Sequence, residues 1–566
     1  MVRNVYNTSP AIVNSAVSNF ENRHKALVAH VTHLFSKKKP MLSLWQEIAE
    51  NFYPERADFT IRRSLSDDFA SNISTSYPIL VRRDLGNQLS SMLRPPGEAW
   101  FHQTTSRQDR LDLAGRQWLE AKTKVQMRAM TDPISQFSRA TSEADHDFAS
   151  FGQAVLSVEV NRRASALLYR TWHLRDVVWC EKFDGSIGLR ARKWKPCARD
   201  LKLLFKNVHP NIIQAVTNNN GADAYREIDI LHIVVPAEEY DGPQQRMPYI
   251  SMYIDVENKF VMEETGIATG YYVIPRWQTV SGYQYAHSPA VVAALPDARL
   301  LQAITFTLLK AGEKAVDPPM IGMGEVIKSP IDIQPGGVTY IDADYDERTG
   351  EALRILPIDS HGIPVGLNMQ DRIQSTIASA FFLDKMQLPQ STIEMTAYEV
   401  SQRLQQYIRQ ALPLFGPIEN EYNAPLCEDS FTLLMANNAF GPLSEIPESL
   451  AGADVRFRFE SPLIEASDQQ LVQTFQDTAN LLGMAAQLDP GTVDTVDAIV
   501  ALRETLQGRQ VPSTWIREPE VAAKMAAQKQ QQQQLAQQAQ VAQQLGDAGQ
   551  AIGNAKQSFM PQGNNQ

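Results

Sequence analysis

The sequence is poor in cysteine. Its 566 residues hold three, Cys180, Cys197 and Cys427, an odd number with no CxxC spacing. That argues against a disulfide framework or a cysteine-ligated zinc site and fits free thiols in a reducing compartment. Basic charge is also in deficit, with 53 Lys and Arg against 64 Asp and Glu, a net of −11. A protein that wraps or grips nucleic acid through bulk charge needs the opposite balance. A wall past which a polyanion must slide does not. No uncharged apolar run reaches the length of a bilayer span, and no basic segment followed by an apolar one opens the chain. Neither a membrane span nor a signal peptide is expected.

Enzyme signatures are missing as well. There is no GxxxxGK[ST], no HExxH and no GxSxG. Ala311-Gly312-Glu313-Lys314 lacks the phosphate-loop spacing, and Gly322-Met323-Gly324 is followed by Ile327 where a third glycine belongs. His30 and His33 sit at i,i+3 on a predicted helix without a Cys or carboxylate ligand nearby, so they read as surface. Asp145-His146-Asp147 are adjacent on a predicted helix, point in different directions and also read as surface. Lys37-Lys38-Lys39 before Pro40 reads as a solvated helix end. His287-Ser288 before Pro289 reads as a helix entry. No catalytic, metal or cofactor-binding residue is expected, and the chain is not expected to be an enzyme.

What is present is ordinary globular material, 43% hydrophobic and 21% charged. The expected class is α+β, mainly α-helical. Leu44, Trp45, Ile48, Ala49 and Phe52 recur at helical spacing until Pro54. Arg94-Pro95-Pro96-Gly97 is a turn, and helices are predicted over 110–130 and 134–150, either side of Asp132-Pro133. From about 151 to 275 the texture becomes strand-like, with Val177–Trp179 and Ile187–Trp194 flanking the hairpin signal Asp184-Gly185. A long helix is predicted over 289–315, with Val291, Leu295, Ala298, Leu301, Ile304, Leu308, Ala311 and Ala315 as its stripe and Pro296 as a bend. Short strands and turns fill 320–367. A helix follows over about 369–383, lined by Ile373, Ile377 and Phe381. Leu388-Pro389 breaks the chain, and Thr396-Ala397-Tyr398-Glu399 is a capping box for another helix. Helix is expected again over 416–437. Ser467-Asp468-Gln469-Gln470 opens a helix to about 488, another runs to about 507, and 528–566 is glutamine-rich low complexity.

The order of helix, strand-rich excursion, helix, loop and capped helix resembles the core of the portal-protein, or head-to-tail connector, family of short-tailed bacteriophages. Local wording is similar too. Trp45-Gln46-Glu47-Ile48-Ala49 with Phe52-Tyr53-Pro54-Glu55-Arg56 looks like the family's N-terminal signature, as does Leu93-Arg94-Pro95-Pro96-Gly97 with Trp100-Phe101. Leu231–Pro236 matches a family strand. Pro275-Arg276-Trp277, Tyr285 through Ser288-Pro289, Ala294-Leu295-Pro296-Asp297 and Glu394-Met395-Thr396-Ala397 with Glu399-Val400 follow in register. Ala286 stands where the pattern has glycine. The resemblance covers about 40–510.

The resemblance implies a portal fold: wing (1–288), first stem helix (289–315), clip (316–367), second stem helix (368–383), tunnel loop (384–395), spine helix and return to the wing (396–464), crown helices (465–524) and a glutamine-rich tail (525–566) that is either disordered or a barrel helix, assembled as a homo-oligomeric ring of twelve. Twelve helices side by side at about 10 Å each need a circumference of ~120 Å and leave an opening of ~28 Å. A DNA duplex fits. The implied function is DNA packaging, retention and ejection at one capsid vertex of the virion, with assembly in the host cytoplasm. The implied partners are double-stranded DNA, the terminase packaging motor, the major capsid and scaffolding proteins, and tail adaptors, with no membrane and no cofactor. Asp384, Lys385, Gln387, Gln390 and Glu394 are the expected tunnel-loop contacts to DNA, and Thr396 and Glu399 cap the spine helix. Other readings are a different virion protein (a tail adaptor or internal ejection protein), a nuclease with a split metal site, or a nonviral scaffold.

Overall fold

A computed structural model describes residues 20–61, 73–95, 97, 99–106, 111–161, 166–217, 223–242, 246–322, scattered positions between 324 and 355, 362–383, 418–452, 454–459, 474–485, 497–508, 511, 515 and most of 521–535. The elements in order are α1 (Asn22–Phe52), α2 (Tyr77–Leu93), β1 (Phe101–Thr105), α3 (Leu113–Thr131), α4 (Phe137–Phe151), β2 (Leu156–Val160), β3 (Leu167–Thr171), β4 (Val177–Glu181), β5 (Ile187–Trp194), α5 (Ala198–Leu204) and α6 (Pro210–Thr217). Then come β6 (Ile230–Pro236), β7 (Tyr249–Asp255), β8 (Phe260–Ile267), β9 (Tyr272–Val273), α7 (Pro289–Val316), β10 (Met320–Gly322), β11 (Leu353–Ile355), α8 (Gly362–Ala380), α9 (Ala424–Ala436) and β12 (Val455–Phe459). The class is α+β with helix predominant, as the sequence implies.

The chain falls into two compact units: Met1–His102 with Lys124–Gly441 and Phe457–Ala466, and Gln103–Thr123 with Pro442–Arg456 and Ser467–Gln566. In the second unit the described residues include helices over 474–485 and 498–508. There the Asp112 carboxylate accepts hydrogen bonds from Gly115 N and Ser449 Oγ, each at 2.6 Å.

The first unit is built on a five-stranded antiparallel sheet in the order β4-β5-β6-β7-β8. Strand side chains alternate between faces, so each strand serves two cores. Leu231, Ile233 and Val235 of β6 join Val31 and Leu34 of α1 on one face. Ile228 and Ile230 join Leu201, Phe205 and Ile212, from α5, α6 and the turn between them, on the other. With both faces covered, every residue of β6 is buried. His232 lies inside this stack and is satisfied there, Nδ1 facing the Tyr272 hydroxyl at 2.5 Å and Nε2 facing Ser251 Oγ at 2.9 Å. The hairpin expected at Asp184-Gly185 joins β4 to β5, with Gly185 at φ +82° where a side chain is disfavoured.

Two helices differ from the sequence reading. α1 does not end at the lysine triplet but continues through Pro40. Lys37 and Lys39 are exposed, whereas Lys38 is fully buried. Its ammonium donates to the Leu174 and Val177 carbonyls and lies 5.0–5.8 Å from the ring centres of Trp45, Trp179 and Tyr285. Apolar contacts on both sides of Pro40 hold the helix together across the missing backbone donor. The second difference is α8, which starts at Gly362 rather than near 369. Its Pro364 stands in the first turn, where no intrahelical donor is needed, so this proline starts a helix instead of stopping one.

Candidate functional site

The most distinctive construction is a pair of helices, α7 and α8, rooted in the body at one end and bare at the other. Ser288 begins α7. Its hydroxyl donates to Ala149 O at 2.7 Å and accepts from Val291 N at 3.4 Å, with Pro289 next in the first turn. This entry fits because α4 ends on Gly152 at φ +71°, where a Cβ would sit 2.1 Å from the His287 carbonyl carbon. Gln302 of α7 pins the approach to α2, accepting from Ser74 N at 2.8 Å and Thr75 N at 3.1 Å. Arg299 pairs with Glu47 of α1. For α8, the Tyr77 hydroxyl donates to Gln374 O at 3.1 Å, and Phe381 meets Phe52 at 5.4 Å between ring centres.

All buried residues of α7, Ala290, Val291, Ala294, Leu295, Ala298 and Leu301, lie in its first half, and those of α8, Ile373 and Ile377, in its second. The remaining halves lie beside one another. Gly366 permits the approach, since a Cβ there would meet Leu308 at 2.7 Å. An open cleft of 1010 Å³ runs between them, lined by Leu308, Leu309, Ile363 and Leu367 with Glu313 and Asp317 at the charged end. Large apolar side chains stay exposed along this projection: Phe306 at 51%, Leu309 at 55%, Val365 at 67% and Met369 at 49%. The hairpin β10–β11 between the helices is likewise uncovered, Ile321 and Ile355 included. By length and composition alone α7 is apolar enough to cross a membrane.

A second construction holds the segments that flank 384–417. Arg276, almost buried, reaches Glu181 at 2.7 Å, the Gly185 carbonyl at 3.0 Å and both oxygens of Glu421 at 3.0 and 3.1 Å. These carboxylates raise its pKa against the opposing effect of burial. Neighbouring Trp277 stacks on Phe148 at 5.1 Å and lies 6.3 Å from Phe382, while Phe148 also meets Tyr422 at 5.9 Å. Thus the Arg276-Trp277 pair touches the chain on both sides of 384–417. Glu421 and Tyr422 belong to a π-helical turn, Glu419–Asn423, ahead of α9.

Asp145-His146-Asp147 is not surface. The three do point in different directions, but each direction is occupied. Asp145 takes the Arg94 guanidinium in a fully buried ion pair, and Arg94 also donates to Asn423 Oδ1 at 2.8 Å and lies over the Tyr422 ring at 4.6 Å. Burial opposes the Arg94 charge, yet Asp145 and its neighbours hold its pKa above the ordinary value. Asp147 takes Arg56 at 2.6 and 3.1 Å. His146 faces Arg82 at 3.2 Å, and burial followed by that cation pushes its pKa down. On α9, Asp429 is pushed up to about 7 by burial. The signal for these networks was in Arg56 and Arg94, cations inside otherwise apolar motifs, but their partners are far away in sequence.

His30 and His33 are exposed, and His287-Ser288 enters α7, both as read. The expected tunnel-loop residues Asp384, Lys385, Gln387, Gln390 and Glu394, and the capping pair Thr396 and Glu399, lie outside the described residues. Among the described residues no group of three or more His, Cys, Asp or Glu is placed to hold a metal ion.

The family model described as bacteriophage head to tail connecting protein matches residues 24–516. The probable portal protein of Bordetella phage BPP-1 is 22% identical over 488 residues, covering 84% of this chain and 86% of its own length. The portal protein of Salmonella phage epsilon15 is 21% identical over 496 residues, covering 85% and 86%. Among solved structures, a chain from the virion of a native gene transfer agent particle aligns with 76% of this chain and 94% of its own at 9% identity and a TM-score of 0.33. One from the neck of that native particle, computed with C12 symmetry, aligns with 71% and 86% at 10% identity and a TM-score of 0.32.

Proposed function

The chain belongs to the bacteriophage head to tail connecting protein family, and from that premise we propose that twelve copies form the ring at one capsid vertex through which double-stranded DNA is packaged, held and ejected. The observation that carries this reading is the bare end of the α7–α8 pair. A monomeric soluble protein rarely leaves a contiguous apolar patch of this kind uncovered. Phe306, Leu309, Val365 and Met369 stand on helices that project beyond the core. Copies packed side by side around a closed ring cover such a surface with a head-to-tail interface.

In this reading α7 and α8 are the stem, the stretch between them is the clip where the terminase motor and later the tail adaptors dock, and 384–395 is the loop facing DNA. The major capsid and scaffolding proteins contact the outside. Twelve copies at −11 each carry on the order of −130 charges, which keeps a polyanion centred and mobile instead of bound. The wall has no chemistry to perform; it positions and slides.

Electron microscopy of the purified protein, with native mass spectrometry of the same sample, tests the proposal. The expected result is closed rings with a central hole and a mass near twelve subunits. Monomers or open filaments under every assembly condition would overturn it and move a tail-adaptor or internal ejection role to the front.

A further inference from the structure

From Asn22 to Gln46 the chain holds Arg23, Lys25, Lys37, Lys38 and Lys39 and three histidines, but not one Asp or Glu. In a protein of net charge −11 that stretch is the opposite of the whole. It forms most of α1, whose inner face is fixed on the five-stranded sheet through Val31 and Leu34. The outer face is therefore set. It presents Lys25, Ala26, Ala29, His30, Thr32, His33, Ser36, Lys37 and Lys39. Lys193 of β5 extends it, exposed and with Nζ 4.0 Å from the ring centre of Phe35. The acids near this layer are mostly engaged. Glu21 and Glu264 take Arg23 and His24 at 3.2–3.8 Å, and Glu264 also accepts from the Tyr240 hydroxyl at 2.5 Å. Glu239 lies toward the Lys37 end, where both groups act on Cys180. Among the described residues, Lys25, Lys37, Lys39 and Lys193 form no ion pair.

We propose that this outer face of α1 is a second polyanion surface, binding the phosphodiester backbone of duplex DNA without reading its sequence. The residue types choose the partner. Protein interfaces are anchored by buried aromatic and arginine side chains and are poor in lysine. A membrane-surface helix needs large apolar residues at its edge. None of the exposed residues of this face is an arginine, an aromatic other than histidine or a large aliphatic, and Leu27, Val28 and Phe35 at its edges pack inward on the sheet core. Lysines on short polar ground, with histidines between them, supply flexible point charges and donors for phosphate oxygens. Lys25 and Lys39 are about 21 Å apart along the helix axis, a little over half the ~34 Å turn of a duplex. The fully buried Lys38 contributes no charge to the surface; it fixes the helix that carries the others. The face is built on α1 and β5, not on α7 or α8, so it is a different surface from the one proposed for the stem.

The test is binding of a 30-base-pair duplex to the full-length protein between 50 and 200 mM salt, with the oligomeric state of each sample measured by native mass spectrometry. Four phosphate contacts give a slope of log K against log salt near −3.6 and a loss of roughly 100-fold across that range. Lys25→Gln/Lys37→Gln/Lys39→Gln flattens the slope to near −1. Lys202→Gln/Lys206→Gln, at exposed positions on α5 and just after it, leaves it unchanged. The proposal is overturned if the wild type does not bind at 50 mM salt, if the triple variant binds like the wild type, or if polyglutamate competes as well as DNA, which makes an acidic protein the partner. Failure of the wild type to form rings while its slope stays near −3.6 and flattens in the triple variant overturns the channel reading and supports this one.

Discussion

Two regions of the first unit both carry large apolar side chains and meet opposite fates. Around Trp45, Phe59, Phe148, Phe151 and Trp277 the apolar groups are sealed, and two buried cations beside them are ion-paired, Arg94 with Asp145 and Arg276 with Glu421. Along the outer halves of α7 and α8, Phe306, Leu309 and Val365 face outward with nothing over them. The body buries its large apolar side chains and the projection does not. Under the ring proposal this uncovered surface is where neighbouring copies pack, and the contacts of Ser288, Gln302 and Tyr77 hold the root of the projection on the body.

The contrast breaks most sharply at the buried pair. Asp145→Ala strands the Arg94 cation in the interior and is expected to cost about 3–5 kcal/mol, read from denaturant unfolding. An unchanged midpoint would mean that the pair is not sealed. Lys38 gives a pH signature. Burial pushes its pKa down to about 7, offset in part by Asp176 and reinforced by Lys193, while in the unfolded chain it returns to about 10.4. The unfolded state therefore binds more protons between these values, so this group makes stability rise with pH across that window by a few kcal/mol, on the order of the shift. Below pH 7 its contribution is flat. Lys38→Met is expected to remove that rise, measured by unfolding at pH 6, 8 and 10.

Gly152→Ala drives a Cβ against the His287 backbone at a left-handed position and is expected to cost ~1–3 kcal/mol in thermal or denaturant unfolding. The smallest effect on stability belongs to the projection. Phe306→Ser/Leu309→Ser should change monomer unfolding by no more than about 0.5 kcal/mol per site and yet abolish assembly in native mass spectrometry. A large loss of monomer stability instead would show that these side chains belong to the core after all.

Much of the architecture was readable because it is local. The hairpin at Asp184-Gly185, the break at Asp132-Pro133 and the entry at Ser288-Pro289 each carry their cause within a few residues. The α7 stripe was also correct in phase. Val291, Leu295, Ala298 and Leu301 are buried as read, but Leu308 is only half-buried and Ala315 is exposed, because the body ends before the helix does. Periodicity states which side faces a neighbour, not how far the neighbour extends. β3, β8 and the helices α5 and α6 went unread, since short elements have little pattern of their own.

The sequence by itself determined the α+β class, the order of elements, the breaks between them and the resemblance that led to the head-to-tail connector family. Tertiary structure decided the fate of charge and of apolar surface. It buried Lys38 between two exposed lysines, gave Asp145, His146 and Asp147 three different partners, and left half of the α7–α8 pair bare. Helix and turn are fixed by neighbours in the chain, whereas burial is fixed by neighbours in space, and for these residues the neighbours in space lie tens to hundreds of positions away.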